Sequence, residues 1–118
     1  MRGEPGHAII AELAPLPGEI VIDKPGFGAF HATDLEHLLR AAGIRALTLA
    51  GVTTDICVHS TLREAVDRGF ECTTVADACA AADRRIHEAM LQCVAGEGGI
   101  LGSVLHSEGA IAQWDAPP

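Results

Sequence analysis

The 118-residue chain is 48% hydrophobic and 20% charged, enough apolar surface for one buried core and too little charge for global disorder. Its formal net charge of −8 excludes the basic footprint of a nucleic-acid binder, and no apolar run reaches the ~20 residues that cross a bilayer. Aromatic residues make up 3% and tyrosine is absent, which leaves the core to Val, Ile, Leu and Ala.

Residues 1–18 hold Pro5, Pro15, Pro17 and Gly18 around a short apolar patch and read as a loop-rich approach segment. They lack a continuous hydrophobic region and a cleavage signal, so the expected location is the cytoplasm. Residues 19–23 (EIVID) form a β-branched run ended by Lys24-Pro25-Gly26, a first expected strand. Thr33 followed by Glu36 fits a capping box and opens a helix whose apolar face is Leu35, Leu38, Leu39 and Ala42, stopped by Gly43. A second strand spans residues 45–50. A helix then runs from Asp55 or Cys57 to Arg68, and a third strand covers residues 70–76. Asp83 caps a helix reaching Val94, with Ile86, Met90, Leu91 and Val94 turned inward. Gly96 and Gly98-Gly99 end it. A fourth strand follows at residues 100–105, and Ser107 opens a short terminal helix.

Strand–helix alternation of this kind predicts an α/β fold, a doubly wound, Rossmann-like parallel sheet. Four strands are few for a sheet that needs helices on both faces. The expectation is therefore a single partial domain over residues 1–118, incomplete on its N-terminal side.

Ligands of open α/β sheets gather beyond the carboxyl ends of the strands. Lys24, residues 51–57 and residues 77–80 all fall there. Cys57 stands at a helix start, where the dipole and unpaired amides favour a thiolate and an oxyanion. It reads either as a nucleophile or as a small buried apolar residue. Lys24 follows a strand, so its stem is expected to start in a buried setting. From there its ammonium either lowers the pKa of a nearby thiol or simply reaches solvent.

Asp55 is expected to cap the Cys57 helix, with Thr53 and Thr54 lining the pocket or assisting the cap. Phe27 and Phe30 are candidate pocket walls. His59, two residues past Cys57, points away from it. Cys72 and Cys93 read as core, and Cys79 as packing near the site. The four cysteines contain no CxxC pair and the histidines no ligand spacing, so free thiols, no metal and no cofactor are expected.

Three stretches together, VIDKPGFGAFHATDLEHLLRAAGI, LTLAGVTTDICVHSTLREAVDRGFECTTVADACAA and HEAMLQCVAGEGGILGSV, resemble the isochorismatase-like cysteine hydrolases. The spacing of Lys24 and Cys57 suits that family. The resemblance implies an Asp–Lys–Cys triad in which Cys57 attacks a carbonyl carbon, Lys24 stabilises the thiolate and an aspartate moves protons. Ammonia or an amine then leaves, and water resolves the thioester. It also implies a cis bond between Val52 and Thr53, with amides from Thr53 through Ile56 to Cys57 turned toward the oxyanion.

Within the family the text looks most like the ureidoacrylate amidohydrolase and biuret hydrolase branch. There a glutamine commonly stands where this chain has Glu97, a further pocket residue by that resemblance. The triad aspartate has no counterpart here, since Asp23 directly precedes Lys24 and is not its equivalent. Two expectations follow. One is a fragment of a C–N hydrolase acting on a small amide or ureido substrate. The other is an inactive or non-catalytic binding or assembly domain of the same fold. A flavodoxin-like nucleotide binder is disfavoured because no phosphate-cradling loop is present. No nucleic-acid or membrane partner is expected, whereas exposed apolar edges favour a homo-oligomer.

Overall fold

The computed structural model describes residues 3–117. A parallel sheet lies at its centre, built from β1 (Ala46–Val52), β2 (Glu71–Ala80) and β3 (Ser103–Leu105) in that spatial order. The helices are α1 (Leu35–Ala41), α2 (His59–Asp67), α3 (Arg84–Ala95) and α4 (Ser107–Trp114). Among the described residues, no helix is long and apolar enough to cross a membrane.

β2 has a neighbour on each side, and Cys72, Thr74, Val75 and Ala76 along it are buried. β1 pairs with β2 from Ala46↔Glu71 to Leu49↔Thr74. The register then jumps, and Gly51 meets Cys79. Gly51 adopts φ +128, a backbone that side-chain-bearing residues rarely enter, so a glycine suits the irregularity. Phe30, Leu62, Ala65, Phe70, Cys72 and Val94 form the core cluster, with Leu35, Leu39, Leu47 and Leu49 packed against it. The Phe30 and Phe70 rings lie 5.7 Å apart and are capped by the guanidinium groups of Arg68 and Arg40.

Several expectations need correction. Residues 19–23 form no strand, and the described sheet has three strands where four were expected. β-branched residues favour extended backbone, but a strand also needs a neighbour. The segment lies over α1 instead, where Ile20 and Ile22 share an apolar cavity with Leu38 and Leu39.

The Thr33–Glu36 capping box does not close. Thr33 Oγ1 accepts from Leu35 N at 3.3 Å, while Glu36 turns to Arg40 and Arg68 at 2.9 and 3.0 Å. Glu36 thus ties α1 to the end of α2, and its arginine partners, Arg40 first, hold its carboxyl below the usual range. Ala42, expected to face inward, is exposed. The fourth strand shrinks to Ser103–Leu105 because residues 99–102 make a turn, Gly102 N donating to Gly99 O.

Asp83 caps α3 as expected, accepting from Arg85 N at 2.8 Å. The inward stripe of α3 is rotated from the expected one. Ile86 and Cys93 are exposed, whereas His87, Met90 and Leu91 are half-buried and Val94 is buried. α4 is capped from a distance, since Asp77 at the end of β2 accepts from both Ser107 N (2.7 Å) and Ser107 Oγ (2.6 Å).

Candidate active site

β1 ends at Val52, and the peptide joining it to Thr53 is cis. The chain then makes a single π turn, Thr54–Val58, before entering α2. Thr53 O accepts from both Ile56 N (3.2 Å) and Val58 N (3.1 Å), so the Ile56 amide is engaged inside the turn and not turned toward a ligand. Thr54 and Val58 are buried beneath the turn. Cys57 is half-buried on it, with its thiol in no disulfide.

Cys57 and Lys24 line the same cavity, about 350 Å³ in volume, along the free edge of β1. Its other walls are mainly apolar, including Phe30, Leu47, Leu49 and Val52. Lys24 is exposed, and its stem is not buried as expected, because the segment before it lies outside the sheet. Its ammonium donates to Gly26 O and Phe27 O, both at 2.8 Å, so the KPGF turn itself aims the charge.

The lysine segment is fastened to the cysteine helix by two hydrogen bonds. Thr61 Oγ1 accepts from Ala29 N at 3.0 Å and donates to Cys57 O at 2.7 Å. Glu64 Oε2 accepts from Phe30 N at 3.0 Å. Cys57, Thr61 and Glu64 share one helical face, at i, i+4 and i+7. The two stretches approach so closely that a β-carbon on Gly28 would strike the Glu64 carboxylate. No local pattern marks Gly28, Thr61 or Glu64: the i, i+4, i+7 spacing is present in the sequence, but nothing local tells what faces it.

The remaining candidates scatter. Val52 lines the cavity, and Phe30 does so from within the core. Phe27 is 68% exposed and contributes its carbonyl to Lys24, with no pocket wall from its ring. Thr53 precedes the turn and Thr54, Asp55 and Ile56 belong to it, but none of the four lines the cavity. Asp55 makes no side-chain cap, and its Oδ1 is buried with no partner among the described residues.

Glu97 is corrected outright. It sits in the turn Glu97–Gly99 that precedes β3, so it lies at the amino ends of the parallel strands, opposite Cys57. Cys72 is buried as expected, and Cys93, expected in the core, is exposed. Burial raises the Cys72 and Cys79 thiol pKa values. His59 accepts from Arg63 Nε at 3.1 Å; burial, then Arg63, makes it harder to protonate.

A second cavity of about 510 Å³ lies at the ends of β2 and β3, lined by Asp77, Cys79, Arg84, His87, Glu88 and His106 among others. Among the described residues, no group of three or more His, Cys, Asp or Glu side chains converges as metal ligands. No Asp or Glu side chain lines the Cys57 cavity among them either.

Comparison with known proteins places this arrangement. Residues 1–104 match the isochorismatase domain. Over 77 residues the chain is 42% identical to the ureidoacrylate amidohydrolase of Methylorubrum extorquens, a match covering 65% of this chain and 31% of that one. A cysteine hydrolase from Pseudomonas syringae superposes with a TM-score of 0.88 at 28% identity, covering 95% of this chain and 56% of that one. For N-carbamoylsarcosine amidase from Thermoplasma acidophilum the TM-score is 0.79 at 31% identity, over 92% and 60%. The chain thus spans about a third of the curated relative and little more than half of the solved structures.

Proposed function

Because the chain belongs to the isochorismatase family, we propose that residues 1–118 are part of one hydrolase domain that cleaves a small amide or ureido C–N bond through Cys57. The observation that carries this reading is that Cys57 and Lys24 line one cavity along the free edge of β1. The names of its relatives, an amidohydrolase acting on ureidoacrylate and an amidase acting on N-carbamoylsarcosine, support the substrate class.

In the proposed reaction the Cys57 thiolate forms a bond to the carbonyl carbon, and the resulting oxyanion is met by amides of the turn. The C–N bond breaks, the nitrogen departs with a proton as ammonia or an amine, and an acyl thioester remains. Water then cleaves the thioester and restores the thiol. In this reading the Lys24 ammonium is the counter-ion of the attacking sulfur.

Incubation with ureidoacrylate or a simple carbamoyl amine should release ammonia and leave a transient acyl mass on the Cys57 peptide. Cys57→Ala should abolish both. Turnover that persists in Cys57→Ala would overturn the nucleophile assignment.

A second reading, a binding domain of the same fold without turnover, is favoured by one observation. The described cavity holds a thiol and an ammonium but no carboxylate to carry protons. Saturable ligand binding by the unmodified protein, with neither ammonia nor an acyl adduct, would select it.

A further inference from the structure

We propose that His87 is a positioning residue for the nucleophile, acting from α3 through Thr54 on the turn that carries Cys57. The inference rests on the reading of Cys57 as the nucleophile.

The Thr54 side chain is 3% exposed, in the first position of the turn. A hydroxyl this deep costs free energy unless it is hydrogen-bonded. Its partner is His87 Nδ1, at 2.7 Å. The contact spans 33 positions and joins the turn after β1 to the first turns of α3. α3 packs directly against the Cys57 turn. Its own start is fixed by Asp83, so His87 reaches Thr54 from a rigid base.

The bond works with either neutral tautomer: a ring carrying its proton on Nε2 accepts from Thr54, and one carrying it on Nδ1 donates to Thr54 Oγ1. Around the ring, the second cavity brings Asp77 and Cys79 from β2, Arg84 and Glu88 from α3, and His106 before α4.

Turn placement matters to Cys57 because amides and a thiol must stay aligned for the dipole to hold a thiolate. With Thr54 pinned, Thr53 O is set to take both Ile56 N and Val58 N, and the Cys57 backbone follows. Thr61 holds the same residue from the α2 side, at Cys57 O. The nucleophile is thus braced from two directions, and His87 supplies the brace from α3.

The test is the pH profile of Cys57 alkylation by iodoacetamide. Peptide mass spectrometry separates Cys57 from the other three thiols, and far-UV circular dichroism checks the fold. Loss of one hydrogen bond predicts that His87→Leu raises the midpoint by about half a unit. Thr54→Val should give the same rise without changing any charge. His87→Asn, whose amide both donates and accepts near the place of Nδ1, should restore most of the original profile. The double variant Thr54→Val/His87→Leu should be no further shifted than Thr54→Val alone.

An unchanged midpoint in His87→Leu overturns the proposal, and so do additive shifts in the double variant. His87→Asn behaving like His87→Leu also overturns it, since that outcome marks the imidazole as packing alone. If His87→Leu does not fold, Thr54→Val and His87→Asn still decide. Failure of the nucleophile reading is visible separately, as an unmodified protein whose Cys57 titrates no lower than the exposed Cys93.

Discussion

Cys57 and Lys24 line one cavity, but two unlike stretches of chain deliver them. The turn and helix around Cys57 are set into the core, with Thr54 at 3%, Leu62 at 1% and Ala65 at 0% exposure. The stretch leading to Lys24 is an irregular arm with 3₁₀ turns at Pro5–His7 and Ala11–Leu13, and its Leu13, Leu16, Ile20 and Val21 are between 62% and 71% exposed. The cysteine inherits its position from the packing of the whole domain. The lysine inherits its position from a four-residue turn and two bonds to α2, Ala29 N to Thr61 and Phe30 N to Glu64. Local stability differs accordingly, and a site assembled from both kinds of support is expected to fail first at the weaker one.

The comparison breaks most severely at the core. Leu62→Ala removes a side chain with essentially no exposure from beneath α2 and should cost about 2–5 kcal/mol. Urea unfolding would show it as a lower midpoint at an unchanged slope. Limited proteolysis of residues 8–22 should proceed at the same rate as before, since the arm does not draw its order from Leu62.

Gly28→Ala attacks the junction instead. Its new methyl group meets the Glu64 carboxylate, and relieving that overlap should cost about 1–3 kcal/mol. Lys24 is the only lysine in the chain, so acetylation followed by mass spectrometry reports it directly. The variant should acetylate Lys24 faster while amide hydrogen exchange along α2 stays unchanged. Faster exchange in α2 as well would show that the arm and the helix are one unit.

Thr61→Val is a milder cut at the same junction. It keeps the shape and removes one hydroxyl that serves Ala29 N and Cys57 O, an expected loss of about 1 kcal/mol. Faster amide hydrogen exchange at Ala29, with little change at Leu62, would place the loss in the arm.

The same division governs what could be read from the amino acids. β1, α2, β2 and α3 were legible because caps, glycine stops and apolar periodicity are local signals, and Asp83 does cap α3. Cys57 does lie just past the end of β1, whereas Lys24 reaches the same cavity from a segment that forms no strand. Residues 19–23 misled because Ile20, Val21 and Ile22 report only that an extended backbone is comfortable there, not that another strand lies beside it. Ile86 misled by apolarity, since the α3 face that packs inward centres on His87, Leu91 and Val94. Glu97 entered through a resemblance, and the path of a parallel crossover carries it to the far end of the sheet. Gly28, Thr61, Glu64 and His87 matter through contacts 32 to 34 positions away or through close approach of two backbones. No local pattern encodes such meetings.

The smallest effect sharpens the comparison from within the well-packed part, which has a weak end of its own at α4. Asp77 holds that helix by accepting from Ser107 N and Oγ, with His106 Nδ1 3.9 Å from its carboxylate. The Ser107 hydroxyl bond, followed by the Ser107 amide bond, holds the Asp77 carboxyl below the usual carboxylate range. A carboxyl group depressed in the folded state adds stability that is fully present above its unfolded pKa. That stability is lost as the pH falls through the lower, folded value. The α4 contact is therefore expected to hold at neutral pH and to loosen only below about pH 4. Trp114, the single tryptophan, ends α4 and reports the change by fluorescence. Its signal should shift on acidification before the circular dichroism of the sheet does. Asp77→Asn, which cannot accept through two carboxylate oxygens, should show the loosened signal already at neutral pH and lose the acid transition. If Trp114 and the sheet instead respond together in the unmodified protein, α4 belongs to the same cooperative unit as Cys57, and the weakly held part of the molecule is the arm alone.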